Sequence, residues 1–205
     1  MQENIITSTQ NPRIKHLLAL QQKSSLRRKE GLFVVEGQRE IAHCLEAGFE
    51  VEELYVEASR CGAYGDAAKV IVSPQVYEKI AYRGSTEGVI AVVRERTVSL
   101  QELHLGPEPL IVVLERVEKP GNLGAVLRSA DAARADAVII CDPLTDLYNP
   151  NLIRASIGAI FSVPCVACTS QECITFLKVH GIQILTAQLQ DSSLYYDTDM
   201  RRGTA

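Results

Sequence analysis

The nonapeptide PGNLGAVLR, Pro120 to Arg128, joins two patterns of different periodicity and thereby sets the architecture of the chain. Before it, residues 110–114 form a short aliphatic run typical of a buried parallel strand. Residues 125–135, which begin within it, lack Gly and Pro and carry apolar side chains at helical spacing. The nonapeptide is therefore predicted to turn a strand into a helix. A helix start exposes unpaired backbone N–H groups, and glycine lets a ligand approach them closely, so we expect a polar or anionic ligand beside Asn122 and Arg128.

The composition is that of an ordinary globular protein. Of the 205 residues, 46% are hydrophobic and 22% are charged, and the formal net charge of −4 argues against a protein that coats nucleic acid non-specifically. The sequence has no apolar run long enough to span a bilayer and no secretory pattern at its N-terminus, so we expect a cytoplasmic protein without a membrane partner. The cysteines lie in predicted strands and helices, which favours reduced thiols. They are Cys44, Cys61, Cys141, Cys165, Cys168 and Cys173.

The N-terminal part, residues 1–96, is predicted to be a small α/β domain. Asn11-Pro12 and Ser73-Pro74 each place a capping side chain before a proline, which favours a helix start at both points. Strand-like runs alternate with helical patterns, as in a layered α/β fold. The predicted strands are 32–35, 53–56, 69–72 and 88–94, with a helix at 37–47. Residues 97–109 contain Gly106-Pro107-Glu108-Pro109 and are predicted to be a linker.

The C-terminal part, residues 110–205, alternates strands and helices more regularly. Parallel strands need crossover helices between them, so this alternation predicts a parallel sheet. Strands are expected at 110–114, 137–141, 162–166 and 182–187, and helices to about Arg134, from Pro150 and to about His180.

The pair Cys165-x-x-Cys168, with Cys173 close behind, has a spacing found among metal ligands. Thr169 and Glu172 form a T-x-x-E capping box, so the two cysteines would end a strand and point to opposite faces of the sheet. No second pair of ligands completes a zinc site, and we expect these thiols to be buried small side chains without a metal.

Four segments carry a resemblance to a known family. The nonapeptide fits neither GxGxxG nor GxxxxGK[ST], but reads N-x-G-x-x-x-R, with Glu115 before it and NPNLIRASIGAIFSVP, residues 149–164, after it. This pair of segments resembles the SpoU (TrmH-like) class of SPOUT RNA 2′-O-ribose methyltransferases. FVVEG, residues 33–37, and GVIAVV, residues 88–93, are similar to the substrate-binding domain of many SpoU enzymes, which resembles RNA-binding ribosomal proteins.

The resemblance implies transfer of a methyl group from S-adenosylmethionine to a ribose 2′-hydroxyl of structured RNA, either ribosomal or transfer RNA, without a metal. The family assigns the central role to Arg128. Because an arginine side chain stays protonated, we expect Arg128 to clamp phosphate and stabilise the developing oxyanion rather than act as a base. Asn122 is expected to fix the loop or the ribose, with Gly121 and Gly124 shaping the loop. Glu115 is expected to hold Arg128 or the loop, although a surface carboxylate is the alternative.

Two further groups of residues follow from the resemblance. The downstream segment is expected to support the site rather than perform chemistry, although its small residues could equally serve close packing; its candidates are Asn149, Arg154, Ser156 and Gly158. Local positive charge is what phosphate contact requires, although solvated surface charge is the alternative for each cation. The candidate RNA-binding residues are Arg13, Lys15, Arg27, Arg28, Lys29, Arg39 and Arg83.

The C-terminal part also departs from the family pattern. In SpoU enzymes the cofactor pocket comes from a later Gly-x-Glu-x-x-Gly turn and a Ser-rich loop, which are threaded into a knot. This sequence ends at Ala205, before either segment, so we expect a SPOUT-type domain without its knot segment and inactive alone, with cofactor-binding residues beyond Ala205. The complete enzyme is expected to be a homodimer. The alternatives are a non-catalytic RNA-binding module and, more remotely, a nucleotide-binding α/β protein that uses the Asn122 turn for phosphate.

Overall fold

A computed structural model of the chain describes residues 5–63, 69–82, 87–190 and 192–205. Its contacts divide the chain into two compact units: Met1–Arg96 with Asp146–Ser162 (unit 1), and Thr97–Thr145 with Val163–Ala205 (unit 2). This division differs from the predicted boundaries at two places. The predicted linker, 97–109, belongs to unit 2 because Leu100 is buried in the core of that unit. Asp146–Ser162, predicted to lie in the C-terminal domain, belongs to unit 1.

Unit 1 contains helices whose starts follow the predicted capping pattern. The Asn11 side chain accepts a hydrogen bond from the Arg13 N–H at 2.9 Å, and the Ser73 hydroxyl accepts one from the Val76 N–H at 3.3 Å. The sequence reasoning missed a second short helix, which ends at Gly31 in the left-handed conformation with φ 62°. In chain order the elements are α1 Pro12–Gln22, α2 Ser24–Glu30, β1 Leu32–Glu36, α3 Gln38–Glu46, β2 Val51–Glu57, β3 Lys69–Val72, α4 Pro74–Ile80, β4 Val89–Arg94, α6 Pro150–Ser156 and α7 Ala159–Ser162.

The sheet of unit 1 has the order β1-β4-β2-β3. β4 pairs antiparallel with both β1 and β2, whereas β2 and β3 are parallel. β4 lies at the centre, and its residues 89–93 are all buried, as expected for a strand that is covered on both faces. Helices α1 and α4 pack on one face, where Leu17, Tyr55 and Ile90 belong to one hydrophobic cluster.

Unit 2 contains a three-stranded parallel sheet in the order β5-β6-β7. The predicted parallel arrangement is confirmed for these strands, which pair in register: Leu114 with Ile140, and Cys141 with Cys168. Its core includes Ile139, Val166 and Phe176. The elements are β5 Ile111–Glu115, α5 Pro120–Ala132, β6 Ala137–Cys141, β7 Cys165–Cys168 and α8 Ser170–Val179.

The fourth strand predicted for this sheet, 182–187, is wrong. Among the described residues this segment makes only an isolated bridge, between Gln183 and Thr204. Gly203 and Ala205, which flank Thr204, exchange backbone hydrogen bonds with Gln183 at 2.8–2.9 Å. Pairing at this one position is shorter than a strand. Within the described part of the chain, no helix combines the length and the apolar character needed to cross a membrane.

The turn between α6 and α7 is tightly packed. Ile157 and Gly158 take left-handed conformations with φ 56° and 86°. A Cβ atom on Gly158 would lie 2.8 Å from Cδ2 and 3.3 Å from Cβ of His43 on α3, and the latter atom is fixed close to the backbone. The glycine therefore allows the α6–α7 turn to lie directly against α3.

We expect Gly158→Ala to destabilise the protein by about 1–3 kcal/mol, because it combines overpacking with a left-handed backbone. The measurement is the urea midpoint of unfolding. Gly106→Ala is the matched control, since a Cβ atom there would meet nothing within 4 Å. Equal midpoints for the two variants would contradict the packing role.

Candidate functional site

The predicted turn at the nonapeptide is the first turn of α5, which begins at Pro120. Lys119 precedes it without a side-chain cap, and its carbonyl accepts hydrogen bonds from the Asn122 and Leu123 N–H groups at 3.1 and 3.2 Å. The first turn of a helix has N–H groups without intrahelical partners and a partial positive charge. This end of α5 is therefore suited to a polar or anionic group.

Leu123 and Leu127 are fully buried and fix α5 on unit 2, whereas Asn122 and Arg128 are exposed. The two exposed side chains are six positions apart, which is about 9 Å along the axis and about 120° around it. They can therefore contact different parts of one ligand. A Cβ atom on the exposed Gly121 would meet nothing within 4 Å, so packing does not require this glycine.

A polar cluster lies where the three parallel strands end. The Ser170 hydroxyl is 2.8 Å from Glu115 Oε1 and 2.8 Å from Asp142 Oδ2, and its single proton can be donated to only one of them at a time. The Ser170 N–H also donates to Asp142 at 3.2 Å. The hydrogen bonds from Ser170, ahead of the nearby Arg116 charge, lower the pKa of Asp142. Arg116 and Asp142 adopt left-handed conformations with φ 51° and 47°.

Sequence reasoning included Glu115 but missed Asp142 and Ser170. Their positions in the sequence could have indicated the site. Asp142 directly follows a predicted strand and Ser170 comes shortly after the next one, and the carboxyl ends of parallel strands meet at one edge of the sheet. The Glu115 carboxylate lies within hydrogen-bond distance of the Ser170 hydroxyl, and its predicted role in holding Arg128 stays a prediction.

The downstream segment has mainly structural contacts. The Asn149 side chain caps α6 by accepting the Asn151 N–H at 2.8 Å, and the buried Ser156 hydroxyl donates to the Ile153 carbonyl at 2.8 Å. Arg154 is exposed and donates to the Tyr82 carbonyl at 3.0 Å. The packing alternative therefore describes Ser156 well, as it does Gly158.

The candidate RNA-binding residues differ in their surroundings. Lys15, Arg28 and Lys29 are exposed on α1 and α2. Arg13 lies 3.5 Å from Glu53, and Arg39 lies 2.9 Å from Glu40, yet both arginine side chains are more than half exposed. Arg83 lies outside the described residues. Their contacts with RNA stay predictions.

Arg28 lies beside a half-buried carboxylate, Glu95. Burial, and then the negative charge of Asp146, raise the pKa of Glu95, whereas the Arg28 charge opposes the rise. The Arg28 charge therefore favours the ionised form of the Glu95 carboxyl group.

Arg27 does not fit the prediction of an RNA contact. Its side chain is 4% exposed and lies 2.6 Å from Asp146, so it cannot reach a phosphate in solution. The physical reason is the shape of α2, whose seven residues place Arg27 inward while Arg28 and Lys29 face solvent.

Among the cysteines of unit 2, Cys141 and Cys173 are buried, and Cys165 and Cys168 are partly buried. Burial, aided by the neighbouring Cys141, raises the pKa of both Cys168 and Cys173 to about 12, so both stay protonated thiols at neutral pH. The predicted capping box is confirmed, with the Thr169 hydroxyl accepting from the Glu172 N–H at 3.2 Å. In the ranges that the structure describes, no group of three or more His, Cys, Asp or Glu side chains could hold a metal ion.

Comparison with known sequences defines the class of protein. Residues 109–205 match the SpoU rRNA Methylase family, and residues 11–91 match the MRM3-like substrate binding domain. The chain is 30% identical over 181 residues to the 23S rRNA (guanosine-2′-O-)-methyltransferase RlmB of Bordetella pertussis, which covers 80% of this chain and 74% of RlmB. The chain belongs to the SpoU rRNA methylase family, as the sequence predicts.

Solved structures share the fold. A crystal structure of an RNA 2′-O ribose methyltransferase is similar with a TM-score of 0.82 at 36% identity, covering 98% of this chain and 80% of that chain. The AdoMet-bound rRNA methyltransferase from Sinorhizobium meliloti gives a TM-score of 0.87 at 26% identity, covering 98% and 78%. The predicted α/β fold class is thus confirmed.

We expect Gly121→Ala to separate stability from function. Alanine fits the open space and has the better helix propensity, so the variant should be more stable by about 0.5 kcal/mol. Methyl transfer should fall, because the added methyl group hinders a ligand at the start of α5. Thermal unfolding and a methyl-transfer assay measure the two effects. Unchanged transfer in the stabilised variant would show that no ligand approaches Gly121.

Proposed function

We propose that this chain is part of an S-adenosylmethionine-dependent enzyme that methylates a ribose 2′-hydroxyl of ribosomal RNA. The observation that carries the proposal is the exposed pair Asn122 and Arg128 at an open helix start, within the region that matches the SpoU family. The similarity to RlmB, a 23S rRNA (guanosine-2′-O-)-methyltransferase, supports the reaction type. The similarity to the AdoMet-bound rRNA methyltransferase from Sinorhizobium meliloti supports the cofactor.

The chemistry requires an alcohol to attack a methyl group at neutral pH. S-adenosylmethionine, when bound, supplies an electrophilic methyl group. Arg128 carries a permanent positive charge, so it holds a phosphate of the target nucleotide and stabilises negative charge on the ribose oxygen. The Asn122 amide can donate to and accept from ribose hydroxyls, which aligns the nucleophile. The open space beside Gly121 leaves room for the nucleotide.

We propose that unit 1 binds the RNA. Its exposed cations lie on adjoining helices, because His16 of α1 and Glu30 of α2 are 2.6 Å apart and their sequence neighbours are Lys15 and Lys29. Phosphate contacts depend on such local charge and tolerate the overall charge of −4. The remaining candidates are Arg13, Arg28 and Arg39.

We expect Arg128→Ala to lower methyl transfer by about 100-fold or more, because a positioned donor to a developing oxyanion is lost. Transfer of a labelled methyl group to ribosomal RNA is measured with the gene product as the cell makes it. Lys178→Ala is the control, since it removes an exposed cation from α8 of the same unit. RNA binding without transfer in the parent protein would favour a non-catalytic RNA-binding module instead.

We expect the double variant Lys15→Ala/Lys29→Ala to weaken RNA binding uniformly across sequences. Each lost phosphate contact should reduce the slope of log affinity against log salt by about 0.7–0.9. Fluorescence anisotropy with a labelled rRNA hairpin at several salt concentrations measures this slope, with Lys178→Ala again as control. An unchanged slope would remove these lysines from the RNA surface.

A further inference from the structure

We propose that Arg27 is a positioning residue: through a buried ion pair with Asp146 it fixes the segment Asp146–Ser162, which carries Asn149 and Arg154. This inference rests on the proposed function and on the expectation, from the family resemblance, that this segment supports the site of methyl transfer. It replaces the RNA contact predicted for Arg27 with a role inside unit 1.

The Arg27 guanidinium is held at several points. Its Nε donates to Asp146 Oδ2 at 2.8 Å, and a terminal nitrogen lies 2.6 Å from the same oxygen. Another nitrogen donates to the carbonyls of Leu20 and Gln21, in the last turn of α1, at 2.5 and 3.2 Å. Lysine has no such planar array of donors, so the site is specific for arginine.

Asp146 in turn accepts hydrogen bonds from the residues that lead into α6. Its Oδ1 accepts the Tyr148 N–H at 2.9 Å, and its carbonyl accepts the Asn149 N–H at 3.0 Å. The Tyr148 ring stacks on Phe33 of β1 at 4.3 Å, and its hydroxyl donates to the Arg96 carbonyl at 2.6 Å. Asn149 is the residue that caps α6, so each step from Arg27 to the start of this helix is a direct contact.

Stability alone gives little reason for a charged pair at this place. The Asp146 side chain is 14% exposed and that of Arg27 is 4% exposed, so both charges have lost most of their hydration. Replacing such a pair by apolar residues of similar size often leaves folding unchanged or improves it. An apolar pair cannot reproduce the directed hydrogen bonds that Asp146 accepts from Arg27 and from the Tyr148 N–H at the entry to α6.

The test compares Arg27→Met with the double variant Arg27→Met/Asp146→Leu. The single variant leaves a buried carboxylate without its partner, so its melting temperature should fall, and the double variant should regain most of the loss. If the pair positions the segment, kcat should be about 10–100-fold lower in both variants, with the KM for RNA changed less than about twofold. Recovery of kcat together with the melting temperature would overturn the proposal.

Hydrogen exchange gives a readout that does not need turnover. Amides of residues 147–157 should exchange about tenfold faster in the double variant than in the parent, although global stability is similar. Arg94→Met is the control, since it breaks an exposed ion pair with Glu50 in the same unit. If the parent transfers no methyl group, the proposed function fails while exchange still decides the role of Arg27. Parent-like protection in the double variant would refute that role.

Discussion

The in-register parallel pairing of β5, β6 and β7 is the constraint on which the site in unit 2 depends. Parallel strands must each be followed by a crossover, so the loops after all three strands emerge at the same edge. This places Glu115, Asp142 and Ser170 within hydrogen-bond distance although they are far apart in sequence. It also places the start of α5, with the exposed Gly121 and Asn122, after the end of β5. A site at this edge is the usual position for ligands in open parallel sheets.

Two glycines of the family segments illustrate different physical roles. A side chain at Gly121 would meet open space, whereas one at Gly158 would collide with His43. The first glycine is therefore dispensable for packing and the second is required by it. The same distinction separates Asn122 and Arg128, which are exposed, from Ser156, whose hydroxyl is used within α6. Of the two segments, the first is the better candidate for direct contact with RNA.

Much of the fold could be predicted from the sequence because its signals are local. Proline after Asn11, Ser73 and Asn149 marks helix starts, and the aliphatic runs mark β3 and β6 at their observed bounds. The burial of Arg27 could not be predicted in this way, since its partner lies 119 residues away. The basic residues beside Arg27 in the sequence indicate an exposed cluster of positive charge. The burial of Arg27 becomes evident only from its tertiary contact with Asp146.

Two features of the C-terminal part differ from the prediction. Residues 182–187 have the composition of a strand, yet among the described residues only Gln183 makes a bridge, to Thr204. Likewise, Arg134 follows α5 with φ 54°, a conformation usual for glycine, so the helix ends where sequence rules expect another residue type.

For the RNA-binding role proposed for unit 1, the arrangement of charge favours a structured RNA over an arbitrary polyanion. Arg13 lies near Glu53, Arg39 near Glu40, and Arg28 near Glu95. A phosphate must compete with a carboxylate at each of these arginines, so each contact is weaker than at an isolated cation. The carboxylates also repel phosphates that arrive in the wrong register. Affinity then depends on how many phosphates fit at once, which is a property of RNA shape rather than of its charge density.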